Sequence, residues 1–213
     1  MSKREKNTKQ RILSEALSLF AVKGYEPITV AEIASAVGIK APSLYKHYQN
    51  KQEIFDAILV EMEIRYGQQA ASMQLNGKDA DKDKDFYIEM SEEKLVEIGQ
   101  GLFLFFLHDE YTSKFRRMLT IEQYNNPALS ALNTKRYIDD PLSYQETLFK
   151  MLINAAVLIN ENPRTMAIHF FSPLYMLMSL CDSCPEKENE ALQIIEQHIL
   201  QFNRLYRKEG NNK

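Results

Sequence analysis

Cysteine is almost missing from this 213-residue chain: only Cys181 and Cys184 occur. Two cysteines cannot build a disulfide scaffold, and the expected compartment is a reducing one. Glycine is scarce as well, at seven residues, and none of them forms a glycine-rich phosphate loop. Long apolar runs are missing, so no transmembrane helix is expected. The opening MSKREKNTKQR is polar and basic with no apolar segment behind it. No secretory signal is therefore expected, and the expected location is the cytoplasm. Valine is sparse and no stretch alternates cleanly between apolar and polar residues, so strands are not expected. No Ser/His/Asp pattern or paired-carboxylate pattern has a supporting motif, so the chain reads as a non-enzyme. No cofactor and no metal are expected.

What is abundant is Glu, Lys, Leu, Ala, Met, Ile and Gln, which gives an all-α reading. Charge is unevenly placed. The formal net charge is −3. Residues 1–52 carry nine bases (Lys3, Arg4, Lys6, Lys9, Arg11, Lys23, Lys40, Lys46, Lys51) against four acids (Glu5, Glu15, Glu26, Glu32). That segment stands at +5, which leaves −8 for the rest. A basic first quarter on an acidic body fits a polyanion-binding module joined to another module. The expected domains are therefore 1–52 and 53–213.

In the first module, residues 2–7 form a polar arm. Thr8 caps a helix that runs to Lys23, with Ile12, Leu13, Ala16, Leu17, Phe20 and Ala21 on one face. Thr29 with Glu32 is a capping box for a second helix carrying Ile33, Ala34 and Val37, and Gly38 ends it. A third helix opens with Pro42 in its first turn, and Leu44 and Tyr48 point back to the core. Asn50 caps a fourth helix from Lys51. Two short helices about Val37-Gly38-Ile39 make a helix-turn-helix, whose second helix enters the DNA major groove. Lys40, Ala41, Pro42 and Ser43 form the groove end. Tyr45, His47 and Lys51 reach phosphates, which supply affinity and register.

The stretch GIKAPSLYKHYQNKQEIF is similar to the DNA-binding motif of the tetracycline-repressor (TetR) family of bacterial regulators. Gly38, Ser43, Leu44, Tyr45, His47, Tyr48, Asn50, Lys51 and Ile54 match its signature. The resemblance covers roughly residues 8–60. It implies an N-terminal three-helix head and a C-terminal helical ligand-binding and dimerisation domain. It also implies a homodimer on a palindromic operator, with an unknown small-molecule effector. By position, Ala41, Pro42 and Tyr45 would face bases beside Lys46, and Thr29 would contact the backbone as well as capping its helix. Some relatives have an Arg where this chain has Ala31. Ala41 is too short to hydrogen-bond a base, so sequence choice would rest on Lys40, Lys46 and the basic arm.

Beyond residue 52, Asn76–Asp85 reads as a charged solvent loop or disordered link. A helix from Ser91 to His108 ends in Leu102–Leu107, apolar on every face, with Gly99 and Gly101 leaving empty volume beside it. Further helices are expected at 111–124, 127–138, 140–158, 163–180 and 187–208. The aromatic and Met positions Phe103, Phe106, Tyr111, Met118, Tyr124, Phe149 and Met151 read either as plain core or as the wall of a pocket for an apolar or aromatic effector. His169 would add a polar group there. The last two helices are apolar enough to pair with a second copy. Cys181-Asp-Ser-Cys184 has redox-type spacing without the βαβ context that would support it.

Overall fold

The computed structural model describes residues 3–208, with side chains from Asn7 onward. Eleven α-helices form among these residues: α1 (Lys3–Lys23), α2 (Val30–Val37), α3 (Ala41–Leu44), α4 (Lys51–Ser72), α5 (Ala80–Glu89), α6 (Glu92–His108), α7 (Glu110–Glu122), α8 (Pro127–Thr134), α9 (Asp140–Asn154), α10 (Pro163–Ser183) and α11 (Glu188–Tyr206). The only extended pairing among them is an isolated bridge between Leu158 and Arg207. The all-α reading holds.

The chain folds as two compact units that interleave along the sequence. One comprises residues 1–66 and 109–133, and the other 67–108 and 134–213. In the first, α1 to α3, the start of α4 and α7 surround a core of Ile12, Phe20, Ile33, Leu44, Ile54, Ile58, Phe115 and Leu119, all essentially sealed from water. Each such side chain contributes about 1.5–3 kcal/mol by leaving water. Packing thus groups α7 with the head, although it starts nearly sixty residues beyond the head's last expected residue at 52.

The second unit is built on α10 and α11. One cluster joins Phe149, Met166, Ala167 and Phe202, and another joins Phe103, Leu177, Cys181, Ile195 and Ile199. The Phe149 and Phe202 rings stack at 5.3 Å between centroids, and Phe170 meets Phe202 edge-on at 5.0 Å.

Several expectations are corrected here. Helix α1 starts at Lys3, so Thr8 lies inside it and is not its N-cap. The run from Lys3 contains no breaker, and Lys, Arg, Glu and Gln carry the helix further back. The side chains of Lys3, Arg4 and Lys6, the basic arm, lie outside the described residues.

The charged stretch 76–85 is a helix from Ala80 onward, not a solvent loop. Asp79 caps it through the Asp81 N–H at 3.2 Å. Asp83 is 2% exposed and accepts from the backbone N–H of Asn76 at 2.6 Å and Gly77 at 2.8 Å, and from the Tyr144 hydroxyl at 2.7 Å. One buried carboxylate thus folds the charged run back on itself.

In α6 only Phe103 of Leu102–Leu107 is buried, and its neighbours are half-covered. The glycine recesses are filled: a Cβ on Gly99 would strike Ile199, and one on Gly101 would strike Met73. No helix break occurs at Asp140-Pro141. A π turn, Lys135–Asp139, joins α8 to α9. The wider turn relieves the clash between the Pro141 ring and the carbonyl four residues back. Helix α9 stops at Asn154, four residues early, because Ala156 turns at φ 59°. The segment after it pairs with the end of α11, Ile159 N–H donating to Tyr206 O at 2.8 Å.

Candidate nucleic-acid interface

The head is held by caps on α2 and α4. Thr29 Oγ1 accepts from the Glu32 N–H at 3.2 Å, and Glu32 returns by accepting from the Thr29 N–H at 2.8 Å. This closes the capping box and holds the Glu32 carboxyl below the usual range. Gly38, at φ 75°, ends α2, and the following Ile39 N–H reaches Ala34 O at 2.9 Å. The turn delivers Lys40, whose carbonyl accepts from Ser43 at 2.8 Å to start α3. Helix α3 is a single turn. It continues as tight turns through Tyr48, with His47 N–H on Leu44 O at 2.8 Å. Asn50 Oδ1 accepts from the Glu53 N–H at 2.8 Å, the cap expected for α4.

These caps determine what faces outward. Leu44 and Tyr48 are buried as anchors. Burial pushes the Tyr48 hydroxyl up to about 12, so it stays protonated. Lys40, Pro42, Tyr45 and Lys46 are exposed, and Ala41, Ser43 and His47 are half-covered. Tyr45 shows 53% of its surface to solvent. A large aromatic left out of the core, beside two lysines and a serine, can place a hydroxyl on a backbone phosphate.

Two basic residues have structural work instead. Arg11 Nη2 donates to Val37 O at 2.6 Å and finishes the C-terminus of α2. Lys51 Nζ donates to Tyr25 O at 2.9 Å and Glu26 O at 3.0 Å, and sits 4.2 Å from the centre of the Tyr25 ring. One of its three N–H bonds remains for a phosphate. Local reading could not find these partners, because they lie 25 or 26 positions away in sequence. Nor could it find Glu122, which accepts from the N–H of Tyr25 and of Glu26 across the same unit. On the opposite end of α7, Asp109 accepts from Arg65 Nη1 at 2.9 Å, and the guanidinium lies 4.2 Å over the Tyr111 ring.

The geometry fits a DNA-reading head, and the sequence comparison decides the family. Residues 12–58 match the family model of bacterial regulatory proteins, tetR family. The head is a TetR-family DNA-binding domain. It is 47% identical over 47 residues to the biofilm operon icaADBC HTH-type negative transcriptional regulator IcaR of Staphylococcus epidermidis. That match covers 22% of this chain and 25% of the relative. The Staphylococcus aureus IcaR is 42% identical over 48 residues, 22% of this chain and 26% of that protein. The chain thus spans about a quarter of the length of these curated relatives.

Among solved structures, a TetR-family transcriptional regulator from Mesorhizobium loti superposes with a TM-score of 0.68 at 20% identity, covering 97% of this chain and all of the other. The SmeT–triclosan complex gives 0.65 at 16% identity, over 97% and 95% of the two chains. A second SmeT structure is described as the repressor of the Stenotrophomonas maltophilia multidrug efflux pump SmeDEF. At these identities the likeness carries the fold. It bears out the expected architecture: a helix-turn-helix head and a helical second unit.

The eight positions suggested for an effector are divided between the units. Tyr111 and Met118 are buried in the head unit, and Tyr124 there is 87% exposed. Phe103, Phe106, Phe149, Met151 and His169 belong to the second unit. Phe103 and Phe106 join the α10–α11 cluster, while Phe149 and Met151 pack near Phe202. His169 is exposed, with Nδ1 3.0 Å from the Tyr206 hydroxyl. An open depression of about 440 Å³ lies beside it, lined by Ile159, Glu161, Asn162, Thr165, Met166, Leu205 and Tyr206.

Cys181 and Cys184 are free thiols. Burial first, then the nearby Glu188 and Asp182 charges, push the Cys181 thiol up and oppose the reactive thiolate. No group of three or more His, Cys, Asp or Glu side chains among the described residues can hold a metal ion. No described helix is long and apolar enough to cross a membrane.

Proposed function

We propose that this chain is a cytoplasmic, homodimeric repressor. It binds a palindromic operator through its N-terminal head, residues 1–52, and leaves it when the second domain, residues 53–213, takes up a small apolar or aromatic molecule. The observation that carries the reading is the outward-facing Lys40-Ala41-Pro42-Ser43 end of α3, with exposed Tyr45 and Lys46 beside it, on a three-helix platform whose α2 is closed by the Thr29–Glu32 box and Gly38. Small Ala41 and Pro42 admit the helix end to the major groove, and Lys40 donates to guanine. Thr29, Ser43, Tyr45, His47 and Lys51 contact phosphates, with Lys46 alongside.

The dimer is formed by α10 and α11. Ile168, Met176 and Leu180 on α10 and Ile194 and Leu205 on α11 remain exposed in the single chain. Two such helices meeting their two-fold copies bury these side chains in a four-helix arrangement. IcaR is described as a negative regulator, which supports repression here. The effector binds among the aromatic side chains about Phe103, Phe106, Phe149, Met151 and His169. A second reading, a constitutive DNA binder without effector, is favoured by the filled recesses at Gly99 and Gly101.

The test is footprinting on the DNA upstream of the protein's own coding region, followed by fluorescence anisotropy on the protected duplex. Lys46→Ala is expected to weaken binding and reduce the slope of affinity against salt by about one unit. Tyr45→Phe is expected to lose about tenfold or more in affinity, one hydrogen bond to a charged group. No protected sequence and no effect of either variant would sink the DNA reading. Retained operator binding across a library of apolar and aromatic compounds would favour the constitutive reading.

A further inference from the structure

The connector between α1 and α2 is gripped from both sides. Gly24 leaves α1 at φ 84°, and the next two N–H groups converge on one oxygen. Glu122 Oε1 accepts from the Tyr25 N–H at 2.6 Å and from the Glu26 N–H at 3.1 Å. A Cβ at Gly24 would stand 2.5 Å from that same oxygen, so glycine is required for both the turn and the approach. Glu122 is 3% exposed, so these bonds replace water around its charge. Asn126 Nδ2 also donates to Glu26 Oε1 at 2.8 Å.

From the other side, Lys51 Nζ donates to the carbonyls of the same two residues. The peptide unit between Tyr25 and Glu26 therefore has its N–H on a carboxylate and its C=O on an ammonium. Both bonds are charge-assisted, and each polarises the peptide in the sense that strengthens the other. The two charges act on one another through a single peptide group. Lys51 is also the first residue of α4, where the helix dipole favours a phosphate.

We propose that Glu122 is a positioning residue for DNA binding: through the Tyr25–Glu26 peptide it fixes the Lys51 ammonium so that its remaining N–H points to a backbone phosphate. This rests on the phosphate-binding reading of Lys51 given above. Withdrawal of the carboxylate by a shift of α7 frees the connector and loosens Lys51. A phosphate contact is then lost without any change in the residues of α3.

The experiment uses the full chain and a random-sequence DNA duplex, with affinity measured across a salt series. Glu122→Ala and Lys51→Ala are each expected to reduce the slope of log affinity against log salt by about one unit. The double variant is expected to lose no more than either single one. Glu122→Gln keeps an acceptor of the same shape and restores most of the slope. If Glu122→Ala loses its helical signal, Glu122→Asp takes its place.

Amide hydrogen exchange is the DNA-independent arm. Lys51→Ala is expected to speed exchange at Tyr25 and Glu26, whose N–H groups Lys51 does not touch. A folded Glu122→Ala protein with an unchanged slope, or fully additive losses in the double variant, overturns the proposal. If the unaltered chain does not bind duplex, the DNA reading fails and exchange alone decides the coupling. Faster exchange in Lys51→Ala then upholds it, and unchanged exchange overturns it.

Discussion

Arg11 closes the C-terminus of α2 by donating Nη2 to Val37 O at 2.6 Å, across 26 residues of sequence. The carbonyls at a helix end have no partner within the helix, and a cation there also meets the negative end of the helix dipole. Arg11→Met keeps the apolar stem and removes the donor. It is expected to cost about 1–2 kcal/mol, less than a buried charged bond because the side chain is largely exposed. Urea unfolding checks this. The variant's duplex affinity should fall only modestly, because Arg11 spends its charge on the scaffold.

Asp83 offers a stability test in the other unit. Its carboxylate accepts from two backbone N–H groups and from the Tyr144 hydroxyl, with 2% of the residue exposed. Asp83→Ala removes the buried acceptor that all three donors share, at about 3 kcal/mol or more. Tyr144→Phe removes one donor and should cost about 1 kcal/mol. Thermal unfolding is expected to rank the two in that order. Equal midpoints would mean that the charged run is held by something else.

The head was legible in the sequence because its signals are local. The Thr29–Glu32 box, Gly38, Pro42 and Asn50 each act within a few residues, and the structure places them as the spacing implies. What lay hidden was long-range. The surplus of base in residues 1–52 counts charges but not their directions. Arg11 serves Val37, Lys23 pairs with Glu32 at 3.7 Å, Lys9 lies 5.2 Å over the Tyr48 ring, and Lys51 holds the connector. The charge left for a polyanion therefore comes from fewer residues than composition indicates. The run 76–85 misled for a related reason: its density of charge conceals one aspartate that is buried and fully bonded. In the effector set, chemical type grouped eight residues that the fold distributes between two units.

His198 predicts how stability responds to acid. Its Nε2–H donates to Phe170 O at 2.9 Å, and the ring packs near His169, Phe170 and Phe202. Burial first, and then the His169 ring, lowers its pKa below the ordinary 6.5. In the unfolded chain this histidine takes a proton before the folded one does. The unfolded state therefore binds more protons as pH falls through the ordinary histidine range, and stability drops. Above that range the contribution is fully present. The thermal midpoint of the unaltered protein should fall more steeply than that of His198→Gln between about pH 7 and about pH 5. Parallel curves would show that this side chain titrates freely when folded.

Met176 tests the assignment of α10 and α11 to the dimer. It lies on α10 with 59% of its surface exposed, on a helix that also exposes Ile168 and Leu180. A charge placed there meets water in a single chain and costs that chain little. In an apolar helix–helix interface the same charge is buried twice, once from each copy, without a partner. Met176→Asp should therefore keep its helical signal and its urea midpoint at high dilution, while sedimentation shows monomers. Duplex affinity should fall with it, because two linked heads bind far more tightly than one. A variant that still sediments as a dimer would place the interface elsewhere. A variant that unfolds would show that this face of α10 is needed within the chain itself, and Leu180→Asp, on a side chain 38% exposed, would then separate the two cases.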